Sequence, residues 1–587
     1  MKRRDFMKKT AVAGSLITGT ELTGFRKSNV SEAVTRGGSD TIPLVGLAGS
    51  NDPELSHPLP LDAVLTTEQV REVVWLALDR DTSPRSLTKI VNKDSWVLLK
   101  PNLVTCPVTM KDFHAEGIEH WWLVTDLRVM KAVAEYLIER VGPRRISIAE
   151  GPPWYSSGGK LKKEEFEDGW HCKWEGFGNL SYAEVVNELS KKKPGTSVDI
   201  IDLNEDDAVY VEDFDPYKTG IGPYQDVKPD DPDGTSKNEW TKRRGIFYPK
   251  SIMDCDVLIT IPVLKTHSSA GLTLCMKNFV GCVHSQMYGR GNGKSPIHQG
   301  SQLGLVRGIA DLGSSINPDY AVSEGFWATI QQHLGQNGVG IHHNVVVAGG
   351  DVVATEAISM MVMGYHPLDS DLLRMLNRKK IGEWHPDRIK VAGPPVKTVS
   401  LNYVRAAETY FARGIRKWIM LGPVKSPFEN MRDLNPRLGE SLANTRWSLL
   451  DGDKIIDAGV NVTQPFKLHE CLLYGIPGSS DANKDSIFYL AVKLSTTRKD
   501  LCGQLLVGLR GGDLRVFFRG REVMYPKTPF PYDPTPSSFL KFFEGENLLV
   551  LEVKKLNERN EDVKIAVNIC DLDGDRLTDL VMEPAGE

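Results

Sequence analysis

The sequence predicts an α/β domain, a mainly parallel sheet with helices on both faces, followed by an all-β, jelly-roll-like sandwich. Three observations predict it. From about residue 64 to residue 396, short apolar runs bounded by turn residues alternate with stretches of helical spacing. From Trp418 onward the texture changes to short β-rich runs separated by Gly, Pro and Asp turns, with no convincing amphipathic helix between them. A chain of 587 residues is also too long for one hydrophobic core.

The boundaries follow. Residues 1–30 read as a signal peptide and 31–63 as a Gly-, Ser- and Pro-rich linker. Residues 64–396 form the α/β domain, 397–417 a linking helix, and 418–587 the sandwich. Within the α/β part, Ser95-Trp-Val-Leu-Leu-Lys100 and Arg145-Ile-Ser-Ile-Ala-Glu150 are buried strands. Further strands are expected at Val198–Leu203, Asp256–Pro262 and Asn344–Gly349. Leu127, Met130, Ala134, Leu137 and Val141 recur at spacings of three and four, one face of a helix. A second helical stretch runs from Asp351 to Met363. Residues 154–180 and 205–250 are polar and rich in Gly, Pro and Trp, and read as insertions or lids over the core. In the sandwich, strands are expected at 486–493, 503–509, 514–518, 547–553 and 563–568.

Composition narrows the function classes. Hydrophobic content of 41% with 25% charged residues excludes a disordered chain. The formal charge of −5, with both signs interspersed, gives no footprint for nucleic acid. The eight cysteines, Cys106, Cys172, Cys255, Cys275, Cys282, Cys471, Cys502 and Cys570, include no C-x-x-C pair, so there is no iron–sulfur motif. The basic start with Arg3-Arg4, followed by Asp5, Phe6, Met7, Lys8 and the small apolar run Thr10–Gly19, resembles a twin-arginine export signal. The expectation is a periplasmic or extracellular protein, handled by the twin-arginine translocase, with no membrane span beyond the signal.

In an open parallel sheet, ligands bind beyond the carboxyl ends of the strands. Four of the expected strands end there in polar residues. They supply Lys100 and Asn102, Glu150, Lys265 with His267 and then Lys277 and Asn278, and finally Asp351. If all four strands are parallel, these groups converge on one crevice. Paired lysines and asparagines suit an anionic group such as a carboxylate or phosphate. His267, Glu150 or Asp351 would supply acid–base chemistry. His267 and His298 are the candidate ligands for a transition metal.

These residues fall in a series that resembles a known family. Trp96-Val-Leu-Leu-Lys-Pro-Asn-Leu103, Val124-Thr-Asp-Leu-Arg-Val-Met-Lys131 and Ile146-Ser-Ile-Ala-Glu-Gly151 come first. Asp254–His267, ending in Leu264-Lys-Thr-His267, and Gly271–Gly281, containing Lys277-Asn-Phe-Val-Gly281, follow. Then come His298, Ile309-Ala-Asp311 and Val346-Val-Ala-Gly-Gly-Asp351. The series is similar to the family called domain of unknown function 362, over residues 64–395. Some members carry ferredoxin-like modules, which implies a redox reading, although this chain has no such cysteine motif. Where members have an Asp beyond the G-x-D turn, this chain has Glu356.

Trp418-Ile-Met-Leu-Gly-Pro423, Leu514–Val523 and Phe543-Glu-Gly-Glu-Asn-Leu-Leu-Val550 resemble galactose-binding-like sandwiches, some of which bind carbohydrate. Asp571, Asp573, Asp575 and Asp579 place carboxylates at positions 1, 3, 5 and 9 of an acidic loop, a candidate calcium site. Two functions remain open on the sequence. One is an exported enzyme acting on an anionic small molecule at the sheet edge, in a metal-independent, redox or metal-assisted form. The other is a non-catalytic ligand- or carbohydrate-binding protein.

Overall fold

A computed structural model describes residues 42–585 apart from 105–119, 153–169, 213–244, 268–269, 285–301, 331–338, 368–369, 404–413, 458–472, 525–535, 559, 572–576 and 578. The signal-peptide residues 1–30 and most of the linking segment 404–413 therefore lie outside the described residues. The chain divides into two compact units, residues 1–217 with 221–409 and residues 218–220 with 410–587.

The main sheet of the first unit is built on β1 (Leu44–Gly49), β2 (Trp96–Pro101), β3 (Arg145–Glu150), β4 (Ser197–Asp202), β5 (Val257–Ile261), β6 (Val263–His267), β7 (Gly271–Thr273), β8 (Tyr320–Ile330), β9 (Val345–Gly349) and β10 (Lys390–Ala392). Its path runs β10-β1-β9-β8-β5-β2-β3-β4, with β6 pairing β8 and β7. From β8 to β4 every neighbour is parallel, with Leu99 opposite both Ile148 and Ile259. β9 is antiparallel to both β8 and β1, so the sheet is mixed rather than parallel throughout.

Alternate residues of these strands face opposite layers. Val97, Leu99, Ile146, Ile148, Ile259 and Ile261 meet helices α1 (Thr67–Arg80), α2 (Leu127–Arg140) and α3 (Tyr182–Lys192) in one core. Each helix starts where a side chain satisfies its free N–H groups: Thr66 and Ser181 in capping boxes, Asp126 as a simple cap. The other face carries α4 (Gln302–Ile316), α5 (Val352–Val362) and the 3₁₀ segment Lys277–Cys282. Thr260, out of phase with Ile259 and Ile261, donates to Cys275 O on that side.

Two expectations are corrected here. The stretch read as linker, 31–63, contains the buried strand β1. Its glycines read as loop residues, but Gly46 is required by contact, because a Cβ there would stand 2.1 Å from Ala77 O in α1. The insertion 154–180 is not simply a lid either. Its described portion buries Trp170, Trp174 and Phe177 in the α1–α3 core, because aromatic area is worth most where water is excluded. Residues 208–212 and 245–249 form an antiparallel ribbon, Ala208–Glu212 with Gly245–Pro249.

The second unit is β-rich and antiparallel. One sheet orders Ser448–Asp451, Lys417–Val424, Ile487–Thr496, Gly545–Lys555, Gly512–Phe518 and Arg521–Met524, with Val581–Pro584 also on Ile487–Thr496. A second orders Tyr474–Gly475, Lys564–Cys570, Cys502–Arg510 and Pro536–Lys541. Trp418 is fully buried, its Nε1 donating to Tyr474 Oη at 2.7 Å. Asn547 is buried at the start of the strand Gly545–Lys555. Its Nδ2 donates to Phe543 O at 2.8 Å and Gly545 O at 3.2 Å, and its Oδ1 accepts from Phe543 N at 3.1 Å. Asn547→Ala strands those backbone groups and is expected to destabilise this unit by about 2–4 kcal/mol. Asn547→Asp should not rescue it, since a carboxylate donates nothing; urea denaturation of both variants checks this.

Among the described residues, Cys275 and Cys502 are free thiols. No helix among them is long and apolar enough to cross a membrane.

Candidate functional site at the carboxyl edge of the sheet

β2, β3 and β5 end side by side, β6 continues from β5 beyond that edge, and their polar residues meet. Lys100 is fully buried, and its Nζ stands 2.6 Å from Glu150 Oε1 and 2.8 Å from Pro101 O. Glu150 also accepts from the backbone of Leu103 at 2.9 Å and Gly151 at 2.8 Å. Asn278 donates to Lys100 O and Thr260 Oγ1, and its Oδ1 accepts from Asn102 Nδ2 at 3.2 Å and Lys100 Nζ at 3.3 Å. Lys265, also fully buried, donates to Asn102 Oδ1 at 2.7 Å and Leu123 O at 2.5 Å. Five of the residues expected at this edge thus form one continuous buried network. The Lys-Asn-x-x-Gly block is accounted for as well. Gly281 lies directly against the ion pair, where a Cβ would come within 2.1 Å of Glu150 Oε1 and 2.8 Å of Lys100 Nζ.

The two remaining lysines differ from Lys100, which has a carboxylate partner. Burial holds the Lys265 amine well below the usual lysine range, and the like charge of Lys277 pushes it the same way. Lys277 is half-buried at the start of the 3₁₀ segment, and its Nζ makes one 3.3 Å hydrogen bond to Thr273 Oγ1. Among the described residues no carboxylate lies within ion-pairing distance of it, and burial pushes its amine down to about 7. Thr273 is paired directly with Lys265 across β6 and β7, which puts both lysines on one face of that ribbon.

His267 ends β6 and is buried. Its Nδ1 accepts from Ala270 N at 3.0 Å, so the neutral ring carries its proton on Nε2. That tautomer offers a donor rather than a metal-binding lone pair. His298 lies outside the described residues, and among the described residues no three His, Cys, Asp or Glu side chains group as a metal site.

Asp351 does not join the cluster. Because β9 runs antiparallel to β8, it ends beside the start of β8, three strands away from β2, and the chain leaves it in the direction opposite to β2 and β5. There Asp351 caps α5 through Ala354 N at 3.0 Å and accepts from Glu383 N at 3.1 Å. Burial raises its pKa, but it has nothing to act on beside the lysines. In the second unit Asp573 and Asp575 lie outside the described residues, while Asp579 pairs with Arg498 at 3.0 Å. Asp571 is half-buried, and its backbone carbonyl accepts from Gln504 Nε2.

Two further groups, Glu324 and Tyr182, carry no sequence signal of their own. Glu324, in β8, accepts from Asp126 N at 3.2 Å and Phe326 N at 2.9 Å; burial, reinforced by the Asp126 charge, raises it to about 8. Asp126 itself pairs with Arg128 at 2.6 Å. Glu356, noted in the sequence as the carboxylate beyond the G-x-D turn, reaches Met276 N at 2.8 Å and is raised to about 7 by burial. Tyr182 begins α3 and is fully buried.

The family described as "Domain of unknown function (DUF362)" matches residues 217–361, a span that holds Lys265, His267, Lys277, Asn278 and Gly281. The match supports that domain family for this part of the chain. No curated protein matches. Among solved structures, the crystal structure of the PA14 domain of the MpAFP antifreeze protein is similar at 11% identity and a TM-score of 0.14, over 18% of this chain and 54% of that one. The chain thus spans about half the length of that structure, a likeness too slight to bear on fold or function.

Proposed function

We propose that the first unit is an enzyme acting on a small anionic molecule held at the carboxyl edge of the sheet, with Lys277 as its acid–base group. One observation carries the reading: Lys277 is a partly desolvated amine with a single 3.3 Å hydroxyl contact and a second lysine close by. Two neighbouring ammonium groups without a counter-charge are unfavourable, and a bound anion relieves both the desolvation and the repulsion. An amine that titrates near neutrality also gives up and regains a proton without a large driving force. Lys100, Glu150, Asn102 and Asn278 spend their hydrogen bonds on each other and act as positioning residues.

The pH dependence has a definite sign. The anion selects the charged amine, so affinity should fall about tenfold per pH unit above 7 and level off below it. Without ligand the sign is opposite for stability. The unfolded lysine holds its proton up to about 10.5 while the folded one loses it near 7, so this group favours folding increasingly between those values. Isothermal titration with inorganic phosphate and citrate from pH 6 to pH 9 tests the first statement. Lys277→Met should abolish the binding; unchanged binding in that variant, or a flat profile, sinks the reading.

A role in holding a ligand without chemistry is the second reading. It is favoured by the mutual saturation of the five-residue network, which leaves few groups to react. We further propose twin-arginine export, on the basic start and apolar run at residues 1–19, with fractionation of the host cell as its test. The two antiparallel sheets of the second unit support a galactose-binding-like sandwich; a glycan array probed with the whole chain tests whether it binds carbohydrate.

A further inference from the structure

Tyr182 is the first residue of α3, set there by the Ser181 cap. α3 connects β3 to β4, which are parallel, so it runs back against the strands and its first turn lies over their carboxyl ends. The ring is held by Trp170 and Trp174, both edge-on, with centroids 5.4 and 6.4 Å away. Its hydroxyl is fully buried and has no hydrogen-bond partner among the described residues. Buried tyrosine hydroxyls nearly always find a partner, because an unsatisfied one forfeits its bond to water. The orphan therefore asks what it is waiting for.

We propose that Tyr182 is a ligand-binding residue of the sheet-edge site, donating its hydroxyl hydrogen to an oxygen of the bound anion. The inference rests on the reading of that edge as an anion site. Three further facts suit it. Burial, with the nearby charges of Glu150 and Asp126, holds the phenol well above its usual range, so it remains a donor across the physiological range. The carboxylates around it do not bar an anion: Glu150 is neutralised by Lys100, Asp126 by Arg128, and Glu324 holds its proton up to about 8. The residue has no other evident polar task, since its ring alone serves the core.

Tyr182→Phe removes only the hydroxyl, and the test compares it with the wild type and Lys277→Met in the full chain. Melting temperature is read against rising concentrations of inorganic phosphate and of citrate. The proposal expects the unliganded Tyr182→Phe protein to melt at or above the wild-type temperature, with apparent affinity for the stabilising anion about tenfold weaker. Wild-type affinity in Tyr182→Phe alongside lost response in Lys277→Met overturns the tyrosine's role and leaves the anion site standing. A drop of several degrees without ligand also overturns it, since the hydroxyl would then serve the fold. If neither anion stabilises even the wild type, the anion site falls and Tyr182 falls with it.

Discussion

Gly281→Ala is expected to destabilise the α/β unit by about 3–5 kcal/mol, an unusually large effect for one added methyl group. The backbone at Gly281 is not in the left-handed region, so strain in φ is not the cause. Space is. The new Cβ would sit 2.1 Å from Glu150 Oε1, 2.8 Å from Lys100 Nζ and 3.1 Å from Lys100 Cε. The ends of long side chains often swing aside at little cost, but these two are fixed. Glu150 is held by two backbone N–H groups and Lys100 by Pro101 O and Asn278. Moving either leaves a charge in a fully buried site without its partner, which is the expensive way to lose an ion pair. Urea denaturation, followed through the transition of the α/β unit, gives the number. A cost below about 1 kcal/mol would show that the pair can rearrange. A double-mutant cycle separates the mechanisms: in a Glu150→Ala background the methyl group gains room, so adding Gly281→Ala should cost much less. The same turn carries Lys277, so the single variant should also lose its response to phosphate and citrate.

The contrast between Gly281 and Asp351 shows what could be read from the chain. Lys100, Asn102, Glu150 and Lys265 were legible because each ends or follows an apolar run that reads as a buried strand, and strand ends of one parallel sheet share an edge; Asn278, in the 3₁₀ segment, was legible through the Lys-Asn-x-x-Gly block. Asp351 met the same criterion and failed it. Val345–Ala348 is buried on both faces, so its pattern reads identically in either direction. Direction is set by the connection from β8, which was itself not recognised as a strand; Val339–Ile341 folds back on β8 in an antiparallel pair instead of forming a crossover helix. Tyr182 and Glu324 were illegible for a different reason. Each is a lone residue, in a helix or strand whose pattern fits the core equally well, and only the third dimension brings Glu324 near Lys265 and Tyr182 near Glu150. β1 was hidden by Gly46 and Gly49, which locally resemble loop residues.

Acid should destabilise the same unit through His343, well away from any chemistry. The ring is completely buried just before β9. Its Nε2 lies 2.6 Å from Val399 O, which can only accept, so the proton is on Nε2 and Nδ1 accepts from Tyr403 Oη at 2.9 Å. A neutral imidazole satisfies both partners; an imidazolium gains a charge with no carboxylate to meet it, and burial pushes the folded pKa down to about 4. The unfolded histidine binds its proton near 6.5. Between those values the unfolded state holds more protons, so stability falls as pH falls, by about 3 kcal/mol in total from this group. Two carboxyls act in the opposite sense over a higher window. Glu324 and Glu356, raised to about 8 and about 7, keep protons that their unfolded counterparts lose above about 4.5, so they favour folding increasingly as pH drops through that range. The bulk profile sums all three and cannot identify His343 by itself. A His343→Gln variant can, because it removes one titration and leaves the carboxyls in place. Wild type should exceed the variant in stability at pH 7, and the margin should shrink by about 3 kcal/mol by pH 4. A margin that stays constant over that interval would mean that the buried ring accepts a proton without loss, and that Tyr403 turns its hydroxyl to receive it.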